Sequence, residues 1–375
     1  MIYADYNATT PCLPEVVAVV SAWLARPGNP SARNHLPGRE ALGALDAARA
    51  EVAALIGARP EEIIFTSGAT EACNLAILGV AERLLTSKPG FVALASEHHA
   101  VLAPHQRLGA AAAEVRLVPI DSQGLAVLEA LDAAVDTRTA LVSSMLVNNE
   151  TGVIQDVPTI ARLAHARGAL VLCDATQATA RMRVDVAALG ADFVALSAHK
   201  AYGPPGVGAL WVRRGLAIEP QIHGGGQERG LRSGTHNLPG IIGFGVAARI
   251  ARSAMDARIA HLTVLTARLE AGIRAQIPDV VVQGDRAPRA PGTSMFTIPG
   301  LPRGWLAQLS DVAASGGSSC ASASGLPSHV LAAMGVAASD AGNSVRISLG
   351  APSTAADVDA IIAALTAGAQ RLRSS

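Results

Sequence analysis

Lysine is nearly missing from this chain of 375 residues: Lys88 and Lys200 are the only two, against 28 arginines. Surplus charge is missing as well, because 30 basic residues balance 30 acidic ones. A chain without a basic excess does not gather phosphate backbones or anionic lipid, which disfavours nucleic-acid and membrane-surface roles. No apolar run approaches the roughly 18 residues that a transmembrane helix needs. The opening Met1-Ile2-Tyr3-Ala4-Asp5 lacks the basic and apolar regions of a secretion signal, so a cytoplasmic protein is expected. Four cysteines, Cys12, Cys73, Cys173 and Cys320, have no metal-ligand spacing, and there is no HExxH run. That excludes the common zinc motifs and leaves the cysteines as free thiols.

What is present is apolar: 50% of residues are hydrophobic and 16% charged, enough to bury two cores. From about residue 62 to 211, short apolar runs such as Ile63-Ile64-Phe65, Phe91-Val92-Ala93-Leu94 and Ala169-Leu170-Val171-Leu172-Cys173 alternate with longer amphipathic ones. This is the strand and helix alternation of a doubly wound, mostly parallel α/β sheet. Pro14 opens a helix, Gly57 closes one over residues 39–56, and Pro158 starts another. A glycine-rich loop, residues 221–230, precedes a long helix over about 239–273, the expected bridge to a smaller α+β unit. In that unit we expect strands near Val280, at 294–297 and at 344–348, a helix from Gly304 and a closing helix over 355–371. The expected division is a large domain of residues 12–256 and a small one of 257–375 joined by 1–11.

Chemistry gathers at the strand exits, where open α/β sheets bind ligands. Lys200 ends Leu196-Ser197-Ala198-His199-Lys200 just after an apolar run, and a lysine so placed can carry a carbonyl cofactor as a Schiff base. Asp174 ends the run before it, and an aspartate is the usual partner of a pyridinium nitrogen. Phe65-Thr66-Ser67-Gly68-Ala69-Thr70-Glu71 joins a strand to a helix through a glycine turn whose N–H groups suit a phosphate, although such turns also cap helices with no ligand. His98, in Ser96-Glu97-His98-His99, sits where it can stack on a flat cofactor or simply start a helix. Val147-Asn148-Asn149-Glu150-Thr151-Gly152 brings amides to the same rim. Cys320 differs from the other cysteines because glycine and serine flank it on both sides, which favours an exposed, mobile nucleophile. Arg346 suits either a substrate carboxylate or a structural ion pair.

Taken in order, these stretches resemble the cysteine desulfurases of the NifS and IscS type. These belong to the class V aminotransferase group, with the fold type I pyridoxal phosphate architecture. The resemblance also covers Asp5-Tyr6-Asn7-Ala8-Thr9-Thr10-Pro11, Gly28-Asn29-Pro30-Ser31, Asp174-Ala175-Thr176-Gln177, residues 223–235, Ser318-Ser319-Cys320 and Arg346-Ile347-Ser348-Leu349-Gly350. It implies a mostly parallel seven-stranded sheet flanked by helices. It implies pyridoxal 5′-phosphate bound covalently at Lys200, with Asp174 on the ring nitrogen and His98 on the ring face. Gln177 and Asn149 would lie beside the cofactor hydroxyl, and Ala69, Thr70, Ser197 and His199 around its phosphate. Thr235 would reach the phosphate of a second subunit in a homodimer. Arg346 and Asn149 would bind the substrate, L-cysteine. Cys320 would take its sulfur as a persulfide, leave L-alanine, and deliver the sulfur to an acceptor such as an iron–sulfur scaffold protein or a tRNA-thiolation partner. No resident metal is implied, although Cys320 would be placed to touch a transient iron–sulfur cluster on a partner. Two other readings share these residues: a selenocysteine lyase on the same fold, and an inactive partner protein that only holds the cofactor. His99 stands where lysine is common in the family, and Ala351-Pro352 where housekeeping bacterial members carry an arginine, which leaves the acceptor open.

Overall fold

A computed structural model describes residues 1–302, 304–309, 311–316 and 327–374. Cys320, the expected persulfide-carrying thiol, lies outside the described residues. The strands are β1 (Ile2–Tyr3), β2 (Ile63–Thr66), β3 (Gly90–Leu94), β4 (Glu114–Val118), β5 (Thr139–Met145), β6 (Leu170–Asp174), β7 (Phe193–Ser197), β8 (Gly208–Val212), β9 (Val281–Val282), β10 (Thr293–Thr297), β11 (Val312–Ala313) and β12 (Ser344–Ser348). The seven from β2 to β8 form one sheet in the order β2-β8-β7-β6-β5-β3-β4. It is the mostly parallel sheet expected: only β8 runs against its neighbours, β2 and β7, while the remaining pairs are parallel.

The helices are α1 (Pro14–Leu24), α2 (Leu36–Leu55), α3 (Ala69–Leu84), α4 (His99–Ala110), α5 (Leu128–Ala134), α6 (Val157–His165), α7 (Val186–Leu189), α8 (Leu238–Gln276), α9 (His329–Ala333), α10 (Ala338–Ala341) and α11 (Ala355–Arg373). Because side chains alternate across a strand, the sheet supports a core on each face. Val92, Val142, Val171 and Val194 pack against Val52 of α2, Ile160 of α6 and Phe244 of α8. Their neighbours Phe91, Leu141, Leu172 and Phe193 pack against Leu75, Ile77 and Val80 of α3. Burial on both faces explains why these strands read as continuous apolar runs. A third core joins the later part of α8 (Leu262, Leu265, Leu269, Ile273) to Phe296, Val345, Ile347 and Leu365, beside the antiparallel sheet β12-β10-β9. One helix therefore serves both regions.

Local signals explain the helix ends. His35 accepts from the Gly38 N–H at the start of α2, Asp156 caps α6 ahead of Pro158, and Thr354 and Asp357 form a capping box on α11. Gly57, at φ +67°, provides the left-handed turn after α2. The helix expected from Gly304 is instead a single 3₁₀ turn, Trp305–Gln308. Its continuation is taken by β11, which pairs in parallel with β1 and so needs extended backbone.

The glycine-rich loop after β8 is anchored by one buried carboxylate. Glu228 accepts from Arg49 through both oxygens (2.7 Å each), from the Phe65 N–H (2.9 Å) and from His236 (2.8 Å). Glu228 and Arg229 both adopt positive φ, 47° and 58°, conformations that cost non-glycine residues free energy and persist where surrounding contacts impose them. Glu228→Ala would leave the Arg49 charge without its acid, and we expect a loss of about 3–5 kcal/mol in denaturant unfolding. The Arg49 and His236 hydrogen bonds hold the Glu228 carboxyl at about 2 rather than 4.5, against the opposing effect of burial. Its stabilising contribution is therefore complete above pH 4.5 and is lost as pH falls toward about 2. The variant should show a weaker loss of stability with acid over that window.

Candidate active site

A cavity of about 400 Å³ opens at the carboxyl ends of β2, β5, β6 and β7. Its lining includes Ala69, Thr70, His98, Asn149, Asp174, Gln177, Ser197, His199, Lys200 and Arg346. Ten of the expected site residues thus converge on one place, although they come from six stretches of chain.

The floor near α3 is a turn built for an anion. Gly68 is the N-cap and no side chain caps the first turn of α3, so backbone N–H groups there remain open to a ligand. Glu71 instead turns back, taking the Ser67 N–H (2.7 Å) and the Arg232 guanidinium (2.8 Å). Gly208, at the start of β8, lets this turn approach: a Cβ there would lie 2.5 Å from the Leu196 carbonyl oxygen and 2.6 Å from the Gly68 Cα. Beside the turn, His199 shares a hydrogen bond with the Thr9 hydroxyl (3.0 Å). Burial and then the nearby Lys200 lower its pKa to about 4, so it is a neutral ring near pH 7.

Lys200 ends a 3₁₀ turn that follows β7. Its Nζ donates to the backbone carbonyls of Asn7 and of Ala8, the latter at 2.7 Å. Burial, followed by the positive charge of Arg346, pulls the amine down from 10.5 to about 8, against opposing contributions from Asp5 and Asp174. The Asn7 carbonyl also accepts from Gln177 Nε2 (2.9 Å). Asn7 Nδ2 reaches the Asn149 carbonyl (2.9 Å) and the Thr293 hydroxyl (3.0 Å).

Asp174 closes β6, nearly buried, and its Oδ1 accepts the Thr176 N–H (2.9 Å). His98 starts α4 and also lines the cavity. Its Nδ1 accepts the Ala100 N–H (3.0 Å), which in the neutral ring leaves the proton on Nε2. Burial lowers its pKa while Asp174 opposes that shift. Next to it, Glu97 is fully buried; its Oε1 accepts the Met145 N–H at 2.7 Å, and its Oε2 has no partner among the described residues. Desolvation pushes this carboxyl well above the usual range.

Arg346 forms the structural ion pair and also lines the cavity. Its Nη2 pairs with Asp5 (2.5 Å) and its Nη1 with the Asn149 carbonyl (3.0 Å), while the buried Nε has no partner among the described residues. Thr235 is exposed and does not line the cavity of its own chain. On either side of the segment that contains Cys320, the chain is tied to the site. Ser315 donates to Asp5 (3.2 Å), Ser328 donates to Glu150 (2.5 Å), and His329 bonds the Glu97 carbonyl (2.9 Å). Cys73 and Cys173 are buried free thiols and Cys12 is half-buried. Sequence reasoning gave no role to Asn7, Glu97 or Arg181. Asn7 acts largely through its backbone carbonyl, which has no side-chain signature.

The chain belongs to the class-V aminotransferase family, whose family model matches residues 2–361. It is 42% identical over 327 residues to the cysteine desulfurase IscS of Salmonella arizonae, covering 85% of this chain and 80% of that protein. Among solved structures, a NifS-like protein superimposes with a TM-score of 0.89 at 35% identity, covering 98% of each chain. SspA in complex with cysteine superimposes with a TM-score of 0.80 at 31% identity, covering 93% of this chain and 99% of that one. Enzymes of this family use pyridoxal phosphate. The residues present fit that group: an uncapped helix start for a phosphate, an imidazole and a carboxylate in the same cavity, and a desolvated amine.

Gly208→Ala would push β8 away from the turn at Gly68, because both nearest contacts are backbone atoms. We expect a stability loss of roughly 1–3 kcal/mol together with weaker retention of pyridoxal phosphate, measured by thermal melting and by cofactor content after dialysis. Wild-type retention in the variant would show that the close approach is unimportant.

Proposed function

We infer that the chain is a pyridoxal phosphate-dependent cysteine desulfurase that converts L-cysteine to L-alanine and passes the sulfur to an acceptor. The observation that carries this reading is the amine of Lys200, desolvated at the carboxyl edge of the sheet and sharing one cavity with Asp174. Kinship with cysteine desulfurases supports the substrate.

Pyridoxal 5′-phosphate, when bound, supplies an aldehyde that links to an amine and a ring that takes up the electrons left when Cα loses its proton. Lys200 would hold it, and with a pKa near 8 the freed amine has an appreciable neutral fraction with which to take that proton. Asp174 would keep the ring nitrogen protonated, and His98 would cover one face. Ala69, Thr70, Ser197 and His199 would bind the phosphate, with Gln177 and Asn149 beside the hydroxyl. Arg346 would anchor the substrate carboxylate through the side that Asp5 does not occupy. The Cys320 thiolate would attack the substrate sulfur. As that S–S bond forms, the C–S bond breaks and its electron pair stays with the carbon fragment; protonation of Cβ and return of a proton to Cα, for which the Lys200 ammonium would be the donor, complete alanine. Ten residues separate Gly316 from Pro327, ample chain for the sulfur to move between the cavity and an acceptor.

We further propose a cytoplasmic homodimer in which Thr235 of one copy completes the phosphate site of the other, because Thr235 is exposed and away from its own cavity. We propose a large domain of residues 12–256 and a small one of 257–375 with 1–11, supported by the third core, which joins the later part of α8 to β10 and β12. An iron–sulfur scaffold protein is the proposed acceptor class.

Cys320→Ala should abolish persulfide formation and alanine release from cysteine while the lysine-bound cofactor absorbance persists. Retained desulfurase activity would defeat the role of this thiol. Lys200→Ala should remove both that absorbance and the borohydride-trapped cofactor adduct, read by peptide mass; an adduct that survives would place the linkage elsewhere.

A further inference from the structure

Arg181 is buried where the N-terminal arm meets both sheets. Its Nη1 donates to the Pro291 carbonyl (2.8 Å), and its Nη2 to Asn7 Oδ1 (2.5 Å) and the Leu349 carbonyl (3.3 Å). Space for it is made by Gly292, at φ +87°: a Cβ there would come within 2.4 Å of Nη1. No carboxylate among the described residues pairs with this guanidinium, unlike Arg49 or Arg346. A buried cation without an acid is costly and must be satisfied by neutral acceptors.

We propose that Arg181 is a positioning residue for the Lys200 amine: its fork fixes Asn7, whose carbonyl receives that amine, and it brings an unneutralised positive charge to the far side of the same asparagine. The first part follows from the hydrogen bonds. Asn7 Oδ1 accepts from Arg181, its Nδ2 is used by Asn149 and Thr293, and its N–H donates to the Ser348 hydroxyl (2.9 Å). The asparagine is thus held at both ends of its side chain and at its N–H, leaving its carbonyl fixed toward Lys200 and Gln177. The second part follows from the charges around Lys200. Arg346 and Arg181 disfavour its protonation, while Asp5 and Asp174 favour it. Asp5 is engaged by Arg346, and His98 and His199 both have lowered pKa values and add no charge near pH 7. Arg181 therefore acts without a counter-ion of its own.

The inference rests on Lys200 being the reacting amine, yet it is testable without turnover. Lys88 is the only other lysine and serves as the internal reference. The full-length chain, freed of cofactor, is pulsed with an amine-acetylating reagent across pH, and labelling of each lysine is read by peptide mass. Wild-type Lys200 should show an inflection near 8. In the neutral variants Arg181→Gln and Arg181→Met, either of which decides the matter once shown to melt cooperatively, that inflection should rise by roughly half a unit or more. In Arg181→Lys, which keeps the charge, it should move less than half as far. In the loaded enzyme, the acid limb of kcat/KM for cysteine should shift with the labelling inflection. An unmoved inflection in a folded neutral variant, or an equal shift in Arg181→Lys, overturns the proposal. The expected inflection shifts in a chain that makes no alanine would sustain it and sink the desulfurase reading alone.

Discussion

One amine held out of water organises this molecule. Lys200 Nζ rests against two backbone carbonyls of the N-terminal arm, acceptors that cannot move away by rotating a side chain. The arm is therefore part of the site along its length. Asp5 engages Arg346, Asn7 and Ala8 receive the amine, the Thr9 hydroxyl meets His199, and Thr10 bonds the His199 carbonyl and the Tyr202 N–H. Losing the arm would return Lys200 to water, where its ordinary affinity for a proton would make it a poor base at neutral pH.

The sheet contributes by its order. Parallel strands bring their carboxyl ends to one edge, so Asp174 and Ser197, separated in sequence, arrive there by the same rule. The reversed strand β8 begins where its neighbours end, so Gly208 meets the turn at Gly68 and narrows the floor of the cavity. The third core, running from Leu262 to Leu365, then holds β12 and so Arg346 against the opposite wall. The packing is nonpolar and generic, whereas the residues at its edges are individually constrained.

This division explains what could be read from the chain in advance. Periodicity identifies the helices and the buried strands, because two covered faces leave long apolar runs, and it locates Lys200, Asp174 and His98 as the polar residues that end or follow them. It misses β4, where Glu114 and Arg116 interrupt the pattern at an exposed sheet edge. It also lengthens the turn at Trp305 into a helix, since the pairing of β11 with β1 is a long-range choice that local propensity does not contain. Asn7, Glu97 and Arg181 escape for a related reason. They are marked by a backbone carbonyl, by a buried acid with one oxygen unpaired among the described residues, and by a charge without a counter-ion among them, none of which has a spacing to recognise.

The scarcity of lysine has a physical consequence at this site. The cations that bear on Lys200 are Arg346 and Arg181, and a guanidinium stays charged across the pH range in which an amine titrates. Were those positions lysines, each would lose its proton in competition with the others, the titrations would couple, and the positive field would fade over the interval in which Lys200 must act as a base. Two fixed charges opposed by Asp5 and Asp174 instead set a steady potential, with burial as the larger cause. Among the described residues around it, the amine is thereby the group whose charge changes near pH 8, while the nearby histidines are already neutral and guanidinium groups remain charged.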